Sequence, residues 1–129
     1  MELSAHGWTA RRGRVVLRLT CVRMGRDLSL SLAGGDREHI GAVALAQPRP
    51  SLSDPARTSS SVSVLTLLGH KEDELARAIA GGLAAALGVS VCVACGIHLD
   101  GLTPEEMAEV PALAGELVQE LRQRLAGTD

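Results

Sequence analysis

EDELARAIAGGLAAALGVSVCVACGIH, residues 72–98, decides the fold class of this chain. Its first part predicts a helix over 72–87, because apolar residues recur at a four-residue spacing and form one stripe. The stripe consists of Leu75, Ile79, Leu83 and Leu87. After Gly88, residues 89–97 are nearly all apolar, which is typical of a strand buried on both faces. A helix followed at once by such a strand indicates an α/β fold.

Four further strands are predicted N-terminal to this helix, over 15–22, 28–32, 39–46 and 59–68. The first two alternate apolar and polar residues, and turn residues separate the runs. Residues 47–58 contain three prolines and predict a surface loop. After the apolar strand, Thr103 and Glu106 form a capping box that begins a last helix, which Pro111 is expected to break or kink.

The element order is therefore ββββαβα. It predicts a two-layer sandwich in which a mixed five-stranded sheet carries two helices on one face. Short connections favour an antiparallel meander of the first four strands. A chain of 129 residues fits a single domain, which we place at 14–129 after a flexible N-terminal segment, 1–13.

The composition argues against several classes of function. A net charge of -2 and an aromatic content of 1% offer neither a basic surface nor stacking rings for nucleic acid. No stretch approaches the roughly 20 apolar residues of a membrane-spanning helix, and the N-terminus lacks the apolar segment of a secretory signal. Three cysteines in such a chain favour reduced thiols, so we expect a cytoplasmic protein. A homo-oligomer is compatible with all of these observations.

Three histidines become neighbours if the predicted topology is correct. His39 begins a strand that runs down the sheet, whereas His70 and His98 follow strands that run up. All three should therefore lie at one end of the sheet, where α/β proteins commonly bind ligands. Imidazoles brought together are usual ligands for zinc and other divalent transition metals. Asp36 and Asp100 are close enough in sequence to orient the rings or to supply a fourth ligand.

A plainer interpretation stays open, because histidines at strand ends are often exposed and these three lack a metal-binding motif such as HExxH. The segment Gly69-His70-Lys71, at a strand-to-helix junction, could instead contact an anion through backbone N–H groups and the lysine. Cys92 and Cys95 have the CxxC spacing of redox enzymes. Positions three apart in a strand face opposite sides, however, which favours a structural role for both thiols.

Three segments together resemble the LpdD-like prenylated-flavin chaperone family, whose members accompany aromatic-acid decarboxylases of the gallate and protocatechuate type. The segments are HIGAVAL (39–45), SVSVL (61–65) followed by GHKED (69–73), and GIHLD (96–100). The resemblance covers residues 14–110, and the order of the motifs is more specific than any one of them.

The resemblance implies a non-catalytic accessory protein. Such a protein would bind prenylated FMN with the help of a divalent metal, with zinc as the default, and would support maturation of a UbiD-like decarboxylase. The implied metal ligands are His39, His70 and His98. Residues in the same motifs are expected to contact the cofactor. These are Gly69, Lys71 and Asp100.

Two alternatives belong to other classes of protein. A metal held by three histidines could activate water and hydrolyse a small substrate, with Asp36, Glu38 or Asp100 as the general base. The chain could also be a structural subunit of a decarboxylase complex that uses an apolar sheet face or the last helix as its interface.

Overall fold

The computed structural model describes residues 5–67 and 72–127. The predicted class is confirmed: a mixed sheet carries two helices on one face, although the sheet has six strands rather than five. The elements are β1 (Ala5–Arg12), β2 (Val15–Met24), β3 (Asp27–Gly35), β4 (Arg37–Pro50), β5 (Thr58–Thr66), α1 (Asp73–Leu87), β6 (Val91–His98) and α2 (Pro104–Ala126). No helix in the described ranges is long and apolar enough to cross a membrane.

The sixth strand, β1, is formed by the segment for which a flexible chain was predicted. β1 pairs with β2 along its whole length, and Trp8 stands opposite Leu19. Trp8 also packs against the core. The sequence of β1 has few apolar residues, so its placement depends on backbone pairing, on this one large side chain and on the ion pairs of Arg12 with Glu109 and Glu116 of α2.

The predicted meander is wrong at one point, because β6 lies between β3 and β4. The strand order is β1-β2-β3-β6-β4-β5, with β6 parallel to β3 and antiparallel to β4. β6 is the most apolar strand, so a central position that buries it between two neighbours is favourable. α1 carries the chain from β5 over β4 to reach that position.

β4 is longer than predicted and includes Pro48 and Pro50, which were expected in a loop. β4 pairs with β6 only as far as Ala46, opposite Val91, and beyond that point β5 is its one neighbour. A proline at such a position removes no ladder hydrogen bond, which is why the strand continues through both.

The last helix is one continuous element, not two, with Pro111 inside it. The predicted capping box is present: Thr103 accepts a hydrogen bond from the Glu106 backbone N–H, and Glu106 accepts one from the Thr103 N–H. Three leucines beyond the proline are buried against the sheet and keep the helix in place. They are Leu113, Leu117 and Leu121.

The Glu106 carboxylate joins α2 to the sheet and gives a prediction about acid stability. Arg14 donates two hydrogen bonds to it, at 2.6 and 2.9 Å, and together with the Thr103 contacts they lower the pKa of Glu106 to about 2. Because the folded-state pKa is below the ordinary value, this contribution to stability is complete above about pH 4.5 and is lost as pH falls towards 2. We expect the free energy of unfolding of wild type to fall more steeply over this range than that of Glu106→Gln, measured by urea denaturation. Glu105→Gln, in the same exposed turn, should follow wild type; equal slopes for Glu106→Gln and wild type would contradict the assignment.

Candidate functional site

The end of the sheet at which β6 finishes is built around His98. Gly35, the last residue of β3, and Arg37, the first of β4, both stand opposite His98. Asp36 connects them, and its N–H donates a 2.6 Å hydrogen bond to the His98 carbonyl. Gly35 has a φ of 78°, and a Cβ there would overlap the same carbonyl. The chain therefore passes closely around the end of β6 because position 35 is a glycine.

A bulge in β4 places His39 beside β6. Glu38 stands opposite Ile97 and Ala42 opposite Cys95, so the three residues 39–41 face Gly96 alone. A Cβ on Gly96 would overlap the His39 carbonyl, so the close approach of the two strands depends on that glycine. Bulges of this kind redirect side chains, and this one brings His39 to the same end of the sheet as His98.

Glu72 joins the start of α1 to this bulge. Its Oε1 lies 3.2 Å from His39 Nε2 and accepts a 3.3 Å hydrogen bond from the Ile97 backbone N–H. The Glu72 side chain is only 12% exposed. Its carboxylate lies against Gly41, where a Cβ would overlap it. One carboxylate thus fixes a helix, a bulge and a strand relative to one another.

His98 is oriented by a second carboxylate. Its Nε2 lies 2.8 Å from Asp100 Oδ1, and this hydrogen bond is the main cause of a lowered pKa of Asp100. Because a carboxylate can only accept, we assign the ring proton to Nε2, which leaves the lone pair of the neutral ring on Nδ1. Asp36 supports the arrangement, since its Oδ2 accepts a 2.8 Å hydrogen bond from the Asp100 N–H.

Two cavities meet at His98. The smaller, about 390 Å³, is lined by both histidines together with Arg37, Glu38 and Ile40. The larger, about 650 Å³, is a groove between the first turn of α1 and the N-terminal half of α2. Most of its lining is apolar: Leu75, Ala78, Ile97, Leu99, Leu102, Met107, Val110 and Pro111. Among the residues that the structure describes, its polar lining consists of Glu72, Glu74 and His98.

The structure brings together some of the residues predicted from the sequence. His39 and His98 lie at one end of the sheet, and Asp100 is hydrogen-bonded to His98. Gly69, His70 and Lys71 lie outside the described residues. Within residues 5–67 and 72–127, no group of three or more His, Cys, Asp or Glu is arranged to hold a metal ion. The three-histidine site therefore stays a prediction.

Sequence reasoning missed Glu72 and Arg37. Glu72 had the properties of an acidic residue at a helix start, and nothing in its local pattern indicated a contact with His39, 33 positions away in sequence. Arg37, with Nη2 3.4 Å from His98 Nε2, became a neighbour only because β6 lies between β3 and β4. The cysteines match their structural interpretation: Cys95 is buried, which raises its pKa to about 12, and Cys92 is on the opposite side of β6.

These features define a small two-layer α/β protein with a histidine-containing end and an adjoining apolar groove. Residues 11–126 match the family model of the prenylated flavin chaperone LpdD-like domain. The chain therefore belongs to the LpdD-like prenylated flavin chaperone family.

Comparison with solved structures supports the fold. A chain in the crystal structure of a novel chaperone complex for yeast 20S proteasome assembly aligns with a TM-score of 0.50 and 10% identity. The alignment covers 88% of this chain and 98% of that chain. At this identity the likeness concerns the fold alone. A search of curated proteins found no significant match.

Proposed function

We propose that this chain carries prenylated FMN, held at the histidine end of the sheet with the help of a divalent metal, and delivers it to a UbiD-like aromatic-acid decarboxylase. The observation that carries the proposal is the position of His98. Its ring borders both the cavity shared with His39 and the apolar groove between the helices. A metal at the ring would therefore be adjacent to a space for an organic ligand.

Two described histidines have the surroundings that the proposed metal site would need. His39 and His98 each have a carboxylate beside the ring, Glu72 and Asp100 respectively. Carboxylates of this kind fix the orientation and raise the basicity of metal-ligating imidazoles. We propose His70 as the third ligand, on the family resemblance, and zinc as the metal. A bound divalent ion would supply a positive charge to an anionic ligand at this end of the sheet.

The groove fits a flavin-sized ligand as cargo. A volume of about 650 Å³ lies within the usual range for small-molecule sites. Its leucine, isoleucine and valine side chains would exclude water from an apolar ring system without aromatic stacking. The proposed cofactor contacts are Asp100, beside His98, together with Gly69 and Lys71 from the motif before α1.

The described carboxylates favour binding over hydrolysis. Asp100 is hydrogen-bonded to His98, Asp36 to the Asp100 backbone, and Glu38 pairs with Arg18 at 2.8 Å. Each of these three carboxylates has an oxygen bound to a protein group, an arrangement that supports a role in positioning that group. We therefore propose a non-catalytic protein that acts in the cytoplasm, where its decarboxylase partner would be found.

The proposal is tested by metal and cofactor binding. We expect Zn²⁺ titration by calorimetry to give about one ion per chain, and His98→Ala to weaken the affinity at least about 10-fold. After co-expression with a flavin prenyltransferase, wild type should purify with an absorption spectrum of bound flavin, and His98→Ala should lose it. His6→Ala is the matched control, because it removes an imidazole that lies outside the proposed site. His6 is on β1 and packs beside Trp8, with ring centroids 4.6 Å apart.

Three results would overturn the proposal. Unchanged metal affinity in His98→Ala would show that His98 does not bind the metal. A blank spectrum in wild type, with hydrolysis of a generic ester or phosphate, would establish the hydrolase instead. Stable co-purification with a decarboxylase that survives loss of His39 and His98 would establish a structural subunit.

A further inference from the structure

Arg37 is, among the described residues, the one arginine or lysine that lines either cavity at the histidine end of the sheet. It begins β4, stands opposite His98 and borders the smaller cavity of about 390 Å³. Asp36, one position earlier, donates its N–H to the His98 carbonyl at 2.6 Å, so the backbone that carries Arg37 is held against the end of β6. A positive charge is therefore held at the wall of this cavity.

The Arg37 guanidinium has no carboxylate partner within residues 5–67 and 72–127. Its side chain contacts His98, with Nη2 3.4 Å from Nε2. The proton of Nε2 is assigned to the hydrogen bond with Asp100, and two N–H donors do not bond to each other. The Arg37 N–H groups can therefore donate to an anionic group that enters the cavity.

Two carboxylates near Arg37 are each bound to another group. Glu38, which also lines the smaller cavity, pairs with Arg18 at 2.8 Å. Asp100 accepts the hydrogen bond from His98, and this bond is the main cause of its lowered pKa, with a smaller contribution from the charge of Arg37. Neither carboxylate forms an ion pair with Arg37, so the charge of Arg37 is left for a ligand.

The groove between the helices has the opposite polarity. In the part of the chain that the structure describes, its polar lining consists of Glu72, Glu74 and His98, and the rest of its lining is apolar. A phosphate beside these two carboxylates would meet like charges, with no arginine or lysine among the described lining residues to offset them. A ligand with a phosphate at one end and an apolar ring system at the other therefore fits the two cavities in one direction only. Its phosphate lies on the Arg37 side of His98.

We propose that Arg37 binds the phosphate of the flavin cargo and makes the site selective for a flavin mononucleotide over a flavin without phosphate. A guanidinium presents paired N–H donors whose geometry matches the oxygens of a phosphate. The flavin ring then lies in the apolar groove, and the chain that links ring and phosphate passes His98. This inference rests on the proposed function. It adds the direction in which the ligand lies and the residue that selects it.

The test compares FMN with riboflavin, two probes that differ only by the phosphate. We expect the full chain to bind FMN about 10- to 100-fold more tightly than riboflavin, measured by quenching of flavin fluorescence. In Arg37→Gln this preference should fall by about 10-fold or more, both with Zn²⁺ and after treatment with a chelator, while the affinity for riboflavin stays at the wild-type value. Arg37→Lys retains the charge without the paired donors and should recover part of the preference.

Arg26→Gln is the matched control. It removes the same charge from an exposed position in the turn between β2 and β3, at the end of the sheet opposite to His98. We expect this variant to keep the wild-type preference for FMN. Arg37→Gln should fold normally, because Arg37 is exposed and forms no ion pair in the described part of the chain, and an unchanged midpoint of urea denaturation checks this.

Three results would overturn the role of Arg37. Equal affinity of wild type for FMN and riboflavin would show that the site does not recognise the phosphate, while the carrier role would stand. A preference that is lost on chelation but unchanged in Arg37→Gln would assign the phosphate to the metal alone. A wild type that binds neither probe would also contradict the role of Arg37, and the absorption spectrum after co-expression with the prenyltransferase would then decide whether the carrier role fails with it.

Discussion

Gly96→Ala is expected to destabilise the protein by about 3 kcal/mol, a cost at the upper end for overpacking in a closed interior. The new Cβ would occupy the position of the His39 carbonyl oxygen and would also crowd the Ile40 N–H. Both groups belong to backbone, which cannot rotate away as a side chain can. The bulge of β4 must therefore move, and His39 moves with it. The measurement is the free energy of unfolding by urea denaturation.

Substitution of another glycine by alanine distinguishes the steric overlap at Gly96 from a general effect of replacing glycine. Gly115 lies in α2, and a Cβ there would meet nothing within 4 Å. Gly115→Ala should stabilise the protein by about 0.5–1 kcal/mol, because alanine favours a helix over glycine. A Gly96→Ala variant that is as stable as wild type would show that β4 and β6 do not approach as described.

Glu72→Ala is expected to reduce stability by about 2 kcal/mol and to weaken metal affinity by about 10- to 100-fold. The stability loss arises because the Ile97 N–H, within a part-buried contact, loses its acceptor. The affinity loss follows from the proposed metal site, because His39 would no longer be oriented by the carboxylate 3.2 Å away. Urea denaturation and Zn²⁺ calorimetry measure the two effects separately.

Two further variants separate the contribution of Glu72 to stability from its contribution to metal affinity. Glu72→Gln retains an oxygen acceptor for Ile97 and should recover most of the stability while metal affinity stays reduced. Glu74→Ala removes a charge from the same helical turn and controls for the helix dipole. If Glu74→Ala lowers metal affinity as much as Glu72→Ala, the effect is one of overall charge and the positioning role of Glu72 is wrong.

The sequence was sufficient for both helices, for five of the six strands and for the class of the fold, because these depend on local patterns. The four-residue stripe of α1 and the apolar run of β6 each identify themselves within a short window. The order of strands depends instead on which strand gains most stability from burial between two neighbouring strands. This can be decided only by comparing strands across the whole chain. For this reason the position of β6 between β3 and β4 was not predicted.

The candidate site also has one part that the sequence predicts and another part that depends on how distant segments pack. His39 and His98 were placed at one end of the sheet from strand direction alone, and direction survives the error in strand order because β4 is antiparallel to both β5 and β6. Glu72 and Arg37 could not be predicted, because their contacts arise from a bulge and from the insertion of β6. β1 was also missed, since edge strands held by backbone pairing leave a weak pattern in the sequence.

The insertion of β6 has a consequence for the order in which the protein folds. β3 and β4 are joined by one residue, Asp36, yet they do not form a hairpin ladder with each other. β6 lies between them instead, and it begins at Val91, which is 55 positions after Asp36 in the sequence. Long-range pairing of this kind is slow compared with helix or hairpin formation. His98 reaches His39 only when this step is complete. We therefore expect a nascent or partly folded chain to be unable to capture its ligand, so that binding is confined to molecules whose sheet is closed.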